Sequence, residues 1–197
     1  MNRITVDSAQ DALIIVDVQN DFCPGGVLGV SRGDEVVPLI NRLLKHRWLT
    51  VATMDWHPAE HSSFEAHGGP WPQHCVQGTA GAELHPALEA DKIQLLVTKA
   101  SHRDKDAYSG FDGTELAGIL REKGVKRVVV CGIATDYCVS ATAHDALSEG
   151  FEVLVLEDAI RGVEVNPGDS QRALEALAKA GAHVIASTHL SFDEAQV

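Results

Sequence analysis

The sequence is short of several things at once. Aromatic residues occupy 5% of its 197 positions, so any flat apolar pocket must be built from few rings. No run of about 18 apolar residues occurs, which leaves nothing to span a membrane as a helix. The N-terminus MNRITVDSAQDALIIVDVQ lacks the long apolar stretch and small-residue cleavage site of a signal peptide. Basic residues are outnumbered, 16 Lys and Arg against 28 Asp and Glu, for a formal net charge of −12. That balance argues against a general nucleic-acid surface and against attraction to anionic lipid. The four cysteines, Cys23, Cys75, Cys131 and Cys138, form no CxxC pair, and the expectation is free thiols in a cytoplasmic protein. Neither GxGxxG nor GxxxxGK[ST] is present, so a dinucleotide or a nucleoside triphosphate has no motif support. There are no repeats, low-complexity tracts or linkers.

What is present is ordinary globular composition, 45% hydrophobic and 22% charged, at a length that suits one domain over residues 1–197. Short apolar runs alternate with segments of helical spacing. Strands are predicted at 12–18 (ALIIVDV), 48–54, 92–98, 125–132, 151–158 and 183–187. Helices are predicted at 33–47, 112–124 (with Thr114 as N-cap and Gly124 as stop), about 136–149, and 169–181. This alternation predicts an α/β three-layer sandwich: a six-stranded, mainly parallel sheet with helices on both faces. Residues 55–91, rich in Pro, Gly and His, are long for a connection, and such loops inside compact domains are usually functional.

In open α/β sheets, sites form at the carboxyl ends of the strands. Asp17 ends the first predicted strand, Asp55 follows the second, Lys99 follows the third, and the loop to Cys138 follows the fourth. An acid, a lysine and a thiol can therefore meet on one sheet edge. Cys138 falls in the first turn of a helix, where unpaired N–H groups and the helix dipole are expected to lower a thiol pKa. Each residue also has a plainer reading: Cys138 as small core residue, Asp17 as a structural cap, Lys99 as a solvent-facing strand end. Cys131, inside a valine run, reads as core, and Asp21 as a loop residue. Asp55 and His57, at i and i+2 of an extended segment, point the same way and can share a metal ion. His61, His67, His74 and His85 follow in the loop. Phe22, Trp56, Phe64, Trp71, Tyr108 and Tyr137 sit near the strand ends and can line a pocket or simply pack the loops.

Taken together, IIVDVQNDF, ATMDWHP, GGPWPQHCVQGTAGAELHP, VTKA, AYSGF and CGIATDYCVSATAHDAL resemble the nicotinamidase/pyrazinamidase branch of the isochorismatase-like cysteine hydrolases. The resemblance runs from about Asp11 to Gly181, with the motifs in the family's order. It implies a triad of Asp17, Lys99 and Cys138. It implies a divalent metal, zinc first and iron or manganese as alternatives, held by Asp55, His57 and His74, with His61 or Glu65 as a possible further ligand. It implies a substrate pocket of Phe22, Trp71, Tyr108, Ile133 and Ala134, a cis peptide at Ile133-Ala134, and an oxyanion hole from the backbone N–H groups of Ala134 and Cys138. The implied reaction is hydrolysis of nicotinamide, and of pyrazinamide, to the acid and ammonia through a Cys138 thioester, in NAD salvage. The metal would orient the ring through its pyridine nitrogen. Two rivals stand beside it: a metal-independent cysteine hydrolase of carbamoyl, ureido or isochorismate substrates, and a non-catalytic binding or redox-sensing protein. The oligomeric state is not legible.

Overall fold

The computed structural model describes residues 3–192. Six strands form one sheet in the order β4-β3-β2-β5-β6-β7, every neighbouring pair parallel. They are β2 (Asp11–Val16), β3 (Leu49–Asp55), β4 (Leu95–Lys99), β5 (Arg127–Ile133), β6 (Glu152–Arg161) and β7 (His183–Ile185). A separate parallel pair, β1 (Ile4–Thr5) with β8 (Leu190–Ser191), joins the two ends of the described chain; two-residue strands carry too little pattern to be foreseen.

β2 is buried at all six positions, as a strand covered on both faces must be. Its alternate residues feed two cores. Leu13 and Ile15 join Val129, Leu154 and Leu156 beneath α1 (Val37–Leu43), which contributes Val37, Ile40 and Leu43. Ala12, Ile14 and Val16 join Val128, Val130 and Val153 on the opposite face. There they meet α2 (Leu116–Glu122), α3 (Ser140–Ser148) and α4 (Asp169–Ala180) through Leu116, Leu120, Ala143, Ala146 and Leu177. The three-layer arrangement expected from the strand–helix alternation is the one observed.

Several boundaries differ from the sequence expectation. Residues Gly33–Val36 form a 3-10 turn, and α1 begins only at Val37, with Pro38 in its first turn, where a missing N–H costs nothing. α1 stops at Leu43, whose carbonyl accepts the Trp48 indole N–H at 3.2 Å instead of continuing the helix. β4 is shorter than predicted because Ala90–Lys92 form a 3-10 turn. Thr114 lies just before the α2 cap, Glu115; its hydroxyl donates to the Gly110 carbonyl at 2.6 Å. Gly124 does end that segment, at φ 78°. β6 runs three residues further than predicted, to Arg161, and its register against β5 shifts between Val130 and Gly132. The helix predicted from Asp136 opens instead as a π-helical turn, Thr135–Val139, before α3.

The chain starts its sheet in the middle. From β2 it steps outward through β3 to β4, then returns to β5 beside β2 and steps out the other way. The crevice at such a reversal is where open α/β sheets bind ligands. Gly132 lets the two central strands close there: a Cβ on it would lie 2.1 Å from the Val16 carbonyl oxygen.

Candidate active site

Asp17 does not end a strand, as expected; β2 stops at Val16 and the chain turns at Asp17 with φ 47°. Ala100, just after Lys99, has φ 49° and Cys75 φ 45°. Non-glycine residues in this region cost about 1–3 kcal/mol each and gather at functional sites. All three lie at the same end of the sheet, and all three are buried.

Lys99, the last residue of β4, is buried. Its ammonium lies 2.9 Å from Asp17 Oδ2, pairs with Asp55 Oδ1, lies 3.4 Å from Cys138 Sγ, and donates to the Ala107 carbonyl at 3.2 Å. Asp17, Asp55 and Cys138 have ligand atoms within 4.8 Å of one another, but the cation they share is this lysine. The plain reading of Lys99 as a solvent-facing strand end is thereby overturned.

Charges inside this cluster decide its protonation. Burial works against the Lys99 cation, but Asp17 and Asp55 outweigh it and push the ammonium well above its ordinary value. Burial likewise raises Asp55, but the Lys99 ammonium at its side outweighs this and holds that carboxyl far below the usual range. Asp17 goes the other way: burial lifts its carboxyl, Lys99 only partly offsets this, and the neighbouring Asp55 charge lifts it further. Cys138 is raised well above an ordinary thiol, first by burial and then by Asp17 and Asp55, against the pull of Lys99. The lowered thiol pKa expected from a helix first turn is therefore not found. A turn dipole acts from one side, whereas two carboxylates and full desolvation act at contact. Asp17 and Cys138 are thus raised by the same two causes, burial and the Asp55 charge, and Lys99 opposes both.

Asp55 faces two ways. Its Oδ1 belongs to Lys99; its Oδ2 lies 3.4 Å from His57 Nε2 and 3.9 Å from His74 Nε2. His57 Nδ1 meets the Ala100 carbonyl at 3.2 Å and His74 Nδ1 meets the Pro72 carbonyl at 2.8 Å. A carbonyl can only accept, so each ring carries its proton on Nδ1 and turns an Nε2 lone pair inward, the arrangement that orients metal-ligating histidines. His57 Nε2 is buried without a hydrogen-bond partner. Burial lowers the His74 pKa, which favours the neutral, ligating form. One carboxylate oxygen and two imidazole nitrogens within 4.8 Å of one another suit a borderline divalent ion, so the residues fit a metal.

His61 stands outside this trio. Its Nδ1 is engaged by Ser63 Oγ at 2.7 Å and its Nε2 by the Lys105 carbonyl at 3.2 Å. Glu65 is exposed on a 3-10 turn, as is His67, and His85 is half-buried elsewhere in the loop. Asp21 serves the loop, accepting the Cys75 N–H at 2.8 Å.

A cavity of about 290 Å³ opens above both clusters, and Asp55, His57, His74 and Cys138 line it. Phe22, Trp71, Tyr108, Ile133 and Ala134, the residues implied as substrate-binding, line it too, with Tyr137. Ile133-Ala134 is a cis peptide. Trp71 donates its indole N–H to the Tyr108 hydroxyl at 3.1 Å and meets Tyr137 edge-on, ring centroids 5.4 Å apart. Phe64 instead sits behind the site, buried against His57, His61 and His74. Trp56 is outside the lining.

Sequence reasoning missed several contributors, among them Val27, Leu28, Gly29, Val30 and Asp106 of the cavity lining. Gln19 is buried and clamps Asp55: its side chain accepts the Asp55 N–H and donates to the Asp55 carbonyl, both at 2.8 Å. Thr53 donates to Asp17 Oδ1 at 2.6 Å. Val163 lines the cavity and is held by Asp136, which accepts its N–H at 2.9 Å. Ser63 lines the cavity as well. The strand-end rule, applied also to the fifth predicted strand, would have pointed to Val163; Thr53 and Gln19 carry no comparable signal.

The chain matches the isochorismatase domain over residues 11–189. It belongs to the isochorismatase family. Within that family, the nicotinamidase of Acinetobacter baylyi is 42% identical, over 91% of this chain and 94% of that one. The crystal structure of PnC1 from L. infantum in complex with nicotinate superposes with a TM-score of 0.93 at 42% identity, covering 97% of this chain and all of that one. The pyrazinamidase of Pyrococcus horikoshii in complex with zinc superposes at 0.84 with 51% identity, covering 90% and 99%. Among the described residues of this isochorismatase-family chain, no helix is long and apolar enough to cross a membrane.

Proposed function

We propose that this protein is a nicotinamidase that hydrolyses nicotinamide to nicotinate and ammonia, and that it also takes pyrazinamide. The observation that carries this reading is the buried Asp17–Lys99–Cys138 cluster opening, beside Asp55, His57 and His74, into one small apolar cavity. The relatives named nicotinamidase and pyrazinamidase support it.

In this reading Asp17 takes the Cys138 proton and Lys99, which stays charged, holds the negative charge between Asp17 and sulfur. The thiolate attacks the amide carbonyl carbon, forming a C–S bond. The backbone N–H groups of Ala134 and Cys138 receive the oxyanion, each donor contributing about 3 kcal/mol in the transition state. Asp17 returns its proton to the leaving nitrogen, the C–N bond breaks, and ammonia departs. Water then cleaves the thioester, Asp17 accepting its proton, and the carboxylate product leaves with the Cys138 thiol restored. Phe22 and Trp71 flank the ring, and Tyr108 braces Trp71. Asp55, His57 and His74 would hold a divalent ion, zinc by their chemistry; when bound, it supplies a Lewis-acid position for a heteroaromatic nitrogen. Residues 1–197 serve as one cytoplasmic domain, and nicotinate formation fits NAD salvage.

Ammonia release from nicotinamide by the purified protein, with Cys138→Ala in parallel, tests the reading. Release that the variant loses by a factor of about 10⁴ or more is expected. No release from folded, metal-loaded protein would overturn it and favour a carbamoyl or ureido substrate. Bound-metal analysis separates that rival independently, since its mechanism requires no ion.

A further inference from the structure

Thr53 lies on β3 two residues before Asp55 and is completely buried. No step of the reaction above touches it. Its hydroxyl donates to Asp17 Oδ1 at 2.6 Å, and its carbonyl accepts the Asp17 N–H at 3.2 Å. One residue thus grips Asp17 by both backbone and side chain, at a turn position with φ 47° that side-chain-bearing residues seldom adopt.

The two oxygens of a carboxylate are equivalent until a donor distinguishes them. With Oδ1 committed to Thr53, Oδ2 is the oxygen left for Lys99, at 2.9 Å, and a carboxylate oxygen of Asp17 lies within 4.8 Å of the Cys138 sulfur. Oδ2 is buried and holds no further hydrogen bond. Thr53 is itself fixed in rotation. A β-branched side chain has few χ1 choices, and the backbone closes on its methyl so tightly that a Cβ on Gly110 would lie 2.6 Å from Thr53 Cγ2.

We propose that Thr53 is a positioning residue that selects Asp17 Oδ2 as the acceptor of the Cys138 proton, an inference that rests on the amidase reading for its substrate. Valine in its place keeps the shape and removes the donor, leaving Oδ1 unsatisfied and the carboxylate free to turn. Serine keeps the donor and gives up the methyl that fixes it.

Wild type, Thr53→Val and Thr53→Ser would be compared by ammonia release, with kcat and KM measured separately on protein checked for fold and metal content. Thr53→Val should lose about 100-fold in kcat with KM within about twofold of wild type. Thr53→Ser should stay within about fivefold of wild type in kcat. A folded, metal-loaded Thr53→Val with kcat within about twofold of wild type overturns the proposal, as does an equal loss in both variants. If the valine variant does not fold, the serine variant decides: a loss of about 100-fold there would mean the hydroxyl is not what matters. Alkylation of Cys138 by iodoacetamide, followed by mass, reads the same proton transfer without substrate. It should slow about tenfold in Thr53→Val and not in Thr53→Ser; an unchanged rate overturns the proposal. Wild type that releases no ammonia, but whose alkylation depends on the Thr53 hydroxyl, would sink the amidase reading and leave Thr53 in its role.

Discussion

Cys131 and Cys138 lie seven residues apart, and both are buried, at 0% and 6% exposure. Burial raises both thiols above an ordinary cysteine. Cys131 sits in mid-strand, its sulfur 3.7 Å from the Ile14 carbonyl, and Asp158 only raises it further. Cys138 has Lys99 at 3.4 Å, Asp17 beside it, and a wall of the cavity on its open side. In the proposed reaction, the difference between an inert thiol and a nucleophile is thus not acidity at rest. It is a fixed cation to receive the negative charge, a base to take the proton, and room for a carbonyl. Cys23, pushed up to about 11 by burial and by Asp34, has none of these.

The largest effect should come from exchanging these two sites. Against the loss expected in Cys138→Ala, Cys131→Ala should keep kcat within about threefold, since it removes one small core atom at a cost of about 1 kcal/mol. Kinetics on both variants, with thermal unfolding alongside, check this. A Cys131→Ala protein that folds but does not turn over would erase the contrast. Lys99→Met comes next. It keeps the aliphatic stem but leaves Asp17 and Asp55 facing each other without their cation, and removing one partner of a buried ion pair costs about 3–5 kcal/mol. Denaturant unfolding should register that loss, and turnover should fall with it. Unchanged stability would mean that the acids bind their charge elsewhere.

Much of this contrast is legible in the sequence. Apolar runs bounded by helices specified a parallel sheet, and the strand-end rule collected Asp17, Asp55, Lys99 and the Cys138 loop on one edge. Residues that act through contacts left no trace. Thr53 is an ordinary strand residue until Asp17 turns toward it, and Gln19 is an ordinary polar residue until Asp55 arrives beside it. The direction of the Cys138 thiol shift is hidden for the same reason: local position reports the turn, whereas the burial that raises it and the two carboxylates that add to it depend on the fold, the carboxylates lying 121 and 83 positions away in the chain. The π-helical start of that segment is hidden too, because a single turn of five residues is too short for its i→i+5 period to show in the sequence.

The metal trio sharpens the comparison from the other side of Asp55. Zinc-loaded protein should carry about one ion per chain, and His74→Ala should lose most of it by elemental analysis after dialysis. Iodoacetamide should still find Cys138 before the other three thiols in that variant, because Lys99, Asp17 and the cavity remain. Loss of Cys138 selectivity along with the ion would show that the two clusters are one unit rather than neighbours sharing a carboxylate.

The smallest effect is expected at the mouth. Tyr108 is 39% exposed, and its hydroxyl accepts the Trp71 indole N–H at 3.1 Å. Tyr108→Phe keeps the ring on the cavity wall and removes only that acceptor, so Trp71 loses one partly solvated hydrogen bond worth about 1 kcal/mol. If Trp71 matters by flanking the bound ring, the loss should appear as a rise in KM of about two- to fivefold with kcat little changed. Steady-state kinetics on nicotinamide measure it. A fall in kcat with constant KM would instead place Tyr108 among the groups that act on the reacting amide, alongside Cys138 rather than at the rim.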